Sequence, residues 1–113
     1  MTDQMTPDAC EPAISVDLMP EDEATQLSVM LKTLADPIRV RVLAYLASTP
    51  AGTVCSCHLP GRLGISQPTL SHHLKKLTDA GLVTREQRGR WAHYTAQPDV
   101  LTSLGAQITQ IGT

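Results

Sequence analysis

The stretch that decides the fold reads Leu63-Gly64-Ile65-Ser66-Gln67-Pro68-Thr69-Leu70-Ser71-His72-His73-Leu74-Lys75-Lys76-Leu77-Thr78-Asp79-Ala80-Gly81-Leu82-Val83. Ser66 is an N-cap residue, and Pro68 falls in the first turn, where its missing N–H costs nothing. Leu70, Leu74 and Leu77 recur at helical spacing and form one apolar stripe. The spacing predicts a helix from Gln67 to Asp79. Before it, Gly64 ends a short helix that reaches Leu63, so two helices meet through Gly64-Ile65-Ser66. After Gly81 the period changes. Leu82–Gln87 and Trp91–Ala96 are two short strands about Arg88-Gly89-Arg90, with glycine at the turn. A tight helix pair followed by a basic hairpin is a winged helix–turn–helix.

Upstream, Ala24, Leu27, Leu31 and Leu34 repeat at helical spacing behind Glu21, Asp22 and Glu23, acids placed where the helix dipole favours them. Asp36 and Pro37 form a cap and first-turn pair that opens a second helix, with Val40, Leu43 and Leu46, to about Ser48. Thr49-Pro50-Ala51-Gly52 breaks it. Downstream, Pro98 and Asp99 start a last helix with Leu101, Leu104, Ile108 and Ile111 on one side. The expected class is mainly α with a β-hairpin wing (α+β), and Trp91 and Tyr94 are expected to brace that hairpin against the body.

A chain of 113 residues suggests one domain. Hydrophobic residues make up 42%, yet Phe is absent and aromatics reach only 3%, so the core is aliphatic and suits packed helices. A chain this small buries only about 60–70% of its surface. With its long terminal segments it suits a partner chain, and the apolar stripes of the first and last helices are the surfaces expected to meet one. The longest apolar run, Val42 to Ala47, is far short of the ~20 residues that span a membrane. The acidic, polar start does not read as a signal peptide, and three cysteines argue against a disulfide framework, so the expected location is cytoplasmic. No P-loop, nucleophile elbow or zinc-protease motif is present, and a Cys-x-x-Cys in a strand–helix unit is missing, so no enzyme is expected.

Net charge is −2, but it divides unevenly. Residues 1–23 hold seven acids and no Lys or Arg. Residues 24–113 hold nine bases against Asp36, Asp79, Glu86 and Asp99. Residues 1–20, with Pro7, Pro12 and Pro20, read as a flexible acidic arm carrying Cys10. Residues 21–113 read as the DNA-binding and dimerisation domain. A basic body behind an acidic arm suits a polyanion ligand, although charge alone equally suits a solvated tail on an ordinary domain.

Three blocks carry a resemblance: Leu34-Ala35-Asp36-Pro37-Ile38-Arg39, the run Ser66 to Leu77, and Ala80-Gly81-Leu82-Val83. In this order, over about residues 21–105, they resemble the ArsR/SmtB family of metal-sensing repressors. Val54-Cys55-Ser56-Cys57-His58-Leu59 is similar to the cysteine box of its arsenic-responsive branch. The resemblance implies a homodimer that blocks its own operon's promoter and releases double-stranded operator DNA when an inducer binds. As(III) or Sb(III) is the implied inducer, with a repressor responding to Hg(II), Cd(II) or Pb(II) as the alternative and a thiol redox-sensing regulator or thiol oxidoreductase as a further one. It implies no organic cofactor, membrane or other protein partner.

With the leucine stripe inward, Gln67, Thr69, Ser71, His72, Lys75 and Lys76 face outward with Pro68. Gln reads adenine bidentately, Ser and Thr adapt to several base edges, and Lys pairs with phosphate. Arg85, Arg88 and Arg90 lie in the wing, and a narrow minor groove attracts arginine. The plainer reading is a polar helix face and an exposed basic turn. His73 follows the apolar stripe and reads as a buried, hydrogen-bonded structural histidine.

Thiolates select thiophilic ions, which makes Cys10, Cys55 and Cys57 the candidate ligands. In the arsenic-responsive pattern a third cysteine follows the second by three positions, where this chain has Pro60. Cys10 is then the remaining thiol, and it serves only if the arm folds back onto its own pair or the partner's. Ser56 as an N-cap would put Cys57 at the first helical position, where thiols ionise more readily. Residues two apart share no helix face, so the pair can clasp one ion only if the turn around Ser56 is not α-helical. His58 could complete a Cys₃His zinc site, and Cys55–Cys57 could be a redox pair. The last helix has no His and only Asp99 as an acid, so the second site of the family's zinc and nickel sensors looks absent.

Overall fold

The computed structural model describes residues 17–49 and 54–112. The chain runs α1 (Glu21–Leu34), α2 (Pro37–Ala47), β1 (Val54–Cys55), a 3₁₀ turn (Ser56–His58), α3 (Leu59–Leu63), α4 (Gln67–Asp79), β2 (Val83–Arg88), β3 (Trp91–Ala96) and α5 (Pro98–Ile111). Local chemistry sets most of these boundaries. The N–H groups of Ile38 and Arg39 donate to Asp36 Oδ1 at 2.9 and 3.2 Å and cap α2. Thr69 N–H donates to Ser66 Oγ at 3.3 Å and caps α4. Gly64 ends α3 with φ 69°, a left-handed conformation that side chains other than glycine resist. The hairpin closes through Gly89 and Arg90, with Arg88 opposite Trp91.

Leu70, Leu74 and Leu77 of α4 are all fully buried, together with Val42, Leu46, Leu82 and Val83. Truncating one such leucine to alanine typically costs about 2–5 kcal/mol. On α2 the buried ridge is Val42, Leu43 and Leu46, whereas Val40, expected in the core, is 49% exposed. At 100° per residue Val40 points nearly opposite to Val42, and the ridge that meets α4 excludes it.

The wing is more than the expected hairpin. Its sheet has three strands in the order β1-β3-β2, because β1 adds antiparallel to β3 with Val54 opposite Tyr94 and Cys55 opposite His93. Val54 and Tyr94 pack on the core. Antiparallel partners share a face and neighbours alternate, so Cys55 and His93 lie on the other side. Two residues are too few to announce a strand by period, and only the neighbouring β3 makes them one.

Terminal helices α1 and α5 touch each other through their inner residues, and Leu27 and Leu104 are buried. Leu31, Ile108 and Ile111, from the same expected stripes, stay 40–63% exposed. No helix of the described residues is long and apolar enough to cross a membrane.

Candidate functional site

The geometry supports two surfaces, one on α4 and the wing and one at the cysteine turn. Gln67, Thr69, Ser71, His72, Lys75 and Lys76 are all exposed on α4. The Ser66 hydroxyl also donates to Thr69 Oγ1 at 2.9 Å, so Thr69 is partly occupied in holding its own helix start. Lys75 pairs with Asp79 at 3.0 Å, but both are well exposed, and such i,i+4 pairs contribute little. A phosphate can replace Asp79 at small cost.

His73 is 8% exposed and accepts from Arg39 Nε at 3.1 Å, while Arg39 Nη1 donates to the Thr33 carbonyl at 3.1 Å. One arginine thus ties the end of α1 and the start of α2 to α4. The backbone N–H of Arg39 holds the Asp36 carboxyl below the usual carboxylate range; burial opposes it, and the backbone N–H of Ile38 and the nearby His73 and Arg39 side chains add to the lowering.

Arg85, Arg88 and Arg90 are exposed in the wing. Arg85 donates to Gln87 at 2.7 Å, and Arg88 pairs with Glu86 at 2.8 Å. A cavity of about 320 Å³ lies between recognition helix and wing, lined by Ser71, Lys75, Thr78, Asp79, Arg85 and Tyr94. The fold therefore brings Ser71 and Lys75 of the helix beside Arg85 of the wing. Tyr94 is buried and braces the hairpin as expected, but Trp91 does not: it is 48% exposed. Strand alternation decides this, since Trp91 shares the outer face with His93, away from Tyr94.

At the second surface the thiols of Cys55 and Cys57 are already paired. Their sulfurs lie 2.7 Å apart, and Cys57 N–H donates to Cys55 Sγ at 3.4 Å. Cys55, the last residue of β1, caps the turn; Ser56, the expected cap, is buried at 6% exposure instead. Strand pairing pulls Cys55 back into extended backbone, and the tight 3₁₀ turn swings Cys57 round beside it. The thiol–thiol hydrogen bond, then burial and the neighbouring Cys55 charge, push the Cys57 thiol up, outweighing the backbone N–H groups of Cys57 and His58. The expected easier ionisation is not found for Cys57, because its sulfur faces another sulfur.

Cys10 lies outside the described residues. Among those that are described, no three His, Cys, Asp or Glu side chains converge as an ion would require, and His58 is exposed beside the pair rather than part of a cluster. His93, which sequence reasoning did not single out, sits opposite Cys55 with a buried Nδ1 that has no hydrogen-bond partner. The missed signal was Val54-Cys55 as a strand, without which nothing places His93 opposite Cys55.

A model of the bacterial regulatory proteins of the arsR family matches residues 36–85. The chain is 38% identical over 88 residues to an arsenical resistance operon repressor of Staphylococcus xylosus, covering 78% of this chain and 82% of that one. It is 36% identical over 80 residues to the arsenic resistance transcriptional regulator ArsR1 of Pseudomonas putida, covering 71% and 61%. The structure is similar to that of the antimony-specific transcriptional repressor AntR, with a TM-score of 0.65 at 26% identity over 98% of this chain and 96% of that one. The paired caps, the leucine stripe, the three-stranded wing and these likenesses agree, and the chain belongs to the arsR family of bacterial regulators: it is a winged helix–turn–helix transcriptional repressor that acts on DNA and not an enzyme.

Proposed function

We propose that this repressor binds operator DNA as a homodimer and lets go when Cys55 and Cys57, joined by Cys10, ligate As(III) or Sb(III). The observation that carries the reading is the 2.7 Å approach of the Cys55 and Cys57 sulfurs. Two soft donors are held together at no further cost in chain entropy, which suits a thiophilic, low-coordinate ion. Cys10 is the one further thiol in the chain and supplies the third sulfur, from its own arm or the partner's. Names of relatives support the same class, since arsenical resistance recurs among them and AntR is antimony-specific.

On the DNA, Gln67, Ser71 and His72 read base edges, Thr69 steadies the helix start, and Lys75, Lys76, Arg85, Arg88 and Arg90 meet phosphate and minor groove. The dimer is supported by Leu31, Ile108 and Ile111, apolar and uncovered on α1 and α5 of a single chain. Cys55 ends the strand that hydrogen-bonds to the wing strand, and Cys57 sits in the turn that opens α3. Movement of the two sulfurs toward a third donor therefore strains both the wing and the helix–turn–helix. The test is release of a fluorescent promoter fragment, titrated in parallel with arsenite, antimonite, cadmium, mercury and zinc. Release by arsenite or antimonite at the lowest concentration is expected; release led by mercury or cadmium would move the inducer to the divalent class, and release by none would refute a thiol sensor.

A further inference from the structure

Between α2 and α3 lies a cavity of about 160 Å³ lined by Arg41, Val42, Tyr45, Leu59, Arg62 and Leu63. Its outer wall is cationic and built. The Arg62 guanidinium lies over the Tyr45 ring, 5.1 Å from the centroid, and Nη1 donates to the Tyr45 hydroxyl at 3.3 Å. Stacking and this hydrogen bond hold the planar fork in one orientation. Arg41 faces the same cavity from α2. Among the described residues the ion pairs are Lys75–Asp79 and Arg88–Glu86, so neither Arg41 nor Arg62 meets a carboxylate there. Two cations turned toward one cleft without a counter-ion repel each other, and an anion between them removes that repulsion.

In a helix–turn–helix the second helix lies in the major groove, while the first crosses the sugar–phosphate backbone. Here the first helix is α3, and Arg62 is its basic residue. We propose that Arg41, Tyr45 and Arg62 form a clamp for one backbone phosphate of the operator, outside both recognition helix and wing. The clamp rests on the reading that this chain binds DNA, and it extends the contact surface to a third element. Arg62 also follows the cysteine turn by a few residues on one short helix, so a shift of Cys57 moves the clamp with it.

Fluorescence anisotropy of labelled operator and random duplexes, measured across a series of KCl concentrations, tests this with full-length wild type, Arg41→Gln, Arg62→Gln, the double variant and Arg62→Lys. Each phosphate contact contributes about 0.9 to the slope of log K against log salt. Either Gln variant is expected to lower the slope by about one, on operator and random DNA alike, and the double variant no further, because both arginines share one phosphate. Arg62→Lys keeps the charge but not the stacked fork, and is expected to keep the slope while weakening binding several-fold. Unchanged slope and affinity in Arg41→Gln and Arg62→Lys, both with wild-type melting, would overturn the clamp while leaving the repressor reading intact. Wild type that binds neither duplex would instead remove the reading beneath it. A free-anion site is the other source of the same chemistry: inorganic phosphate displacing operator at constant ionic strength from wild type but not from the double variant, with slopes unchanged, would also overturn the clamp.

Discussion

The recognition helix and the cysteine turn lie close in the chain and differ in how they come to exist. α4 is specified locally: Ser66 caps it, Pro68 fits its first turn, and three leucines at helical spacing bury its inner face. The cysteine turn is specified from a distance. Val54 and Cys55 have no period of their own and become a strand because β3 offers an unpaired edge nearly forty residues later. A locally specified element gives a rigid reading head. One held by two residues of ladder depends on the strand beside it. The strand that carries Cys55 is also bonded to the wing, so the cysteine turn and the wing share a sheet.

The sharpest way to break that comparison is to remove a sulfur. Cys55→Ser or Cys57→Ser should abolish release by arsenite while operator affinity stays near wild type. Trp91, the single tryptophan, stands half exposed on the wing strand that pairs with Cys55's strand. Its emission should shift when arsenite is added to wild type and stay unchanged in either variant. Lost operator binding in a folded variant would make the cysteine turn a reading element as well.

Next in size is the proposed dimer. Leu104 is buried on α5, one helical turn from the uncovered Ile108, and α5 touches α1, where Leu31 is also uncovered. Leu104→Asp should yield monomers by sedimentation and operator binding weaker by more than tenfold; an unchanged dimer would place the interface elsewhere.

Within the reading head the effects are smaller and more selective. Gln67→Ala or His72→Ala should weaken specific binding by about 1–3 kcal/mol and relax base preference. Arg90→Ala should lower affinity for all sequences evenly. Equal losses on operator and random DNA for Gln67→Ala would show that it reads no base.

The smallest effect concerns acid stability. The folded Asp36 carboxyl titrates below its unfolded value, so its cap is fully stabilising above about pH 4 and is lost as pH falls through the lower folded value. Asp36→Asn can still cap but cannot titrate. Its thermal melting should therefore fall less steeply than wild type's as the pH drops below about 4.

Much of this molecule is written in its residues. The caps at Asp36 and Ser66, the stop at Gly64, the leucine stripe, the hairpin about Gly89 and the burial of His73 all follow from short-range rules and are found as expected. Each involves groups within a few residues, or one helix face. What only the tertiary structure decided is whatever depends on a partner remote in sequence. β1 exists because β3 is there, and Cys55 rather than Ser56 caps the turn because that strand claims it. Trp91 is left outside and Val40 uncovered because pleat and helix phase point them away from the core. Arg62 meets Tyr45 across two helices. Sequence periodicity reports which side of an element is apolar, but not which other element arrives to cover it. That choice belongs to the packed chain, and it is what sets the two sulfurs side by side against the wing.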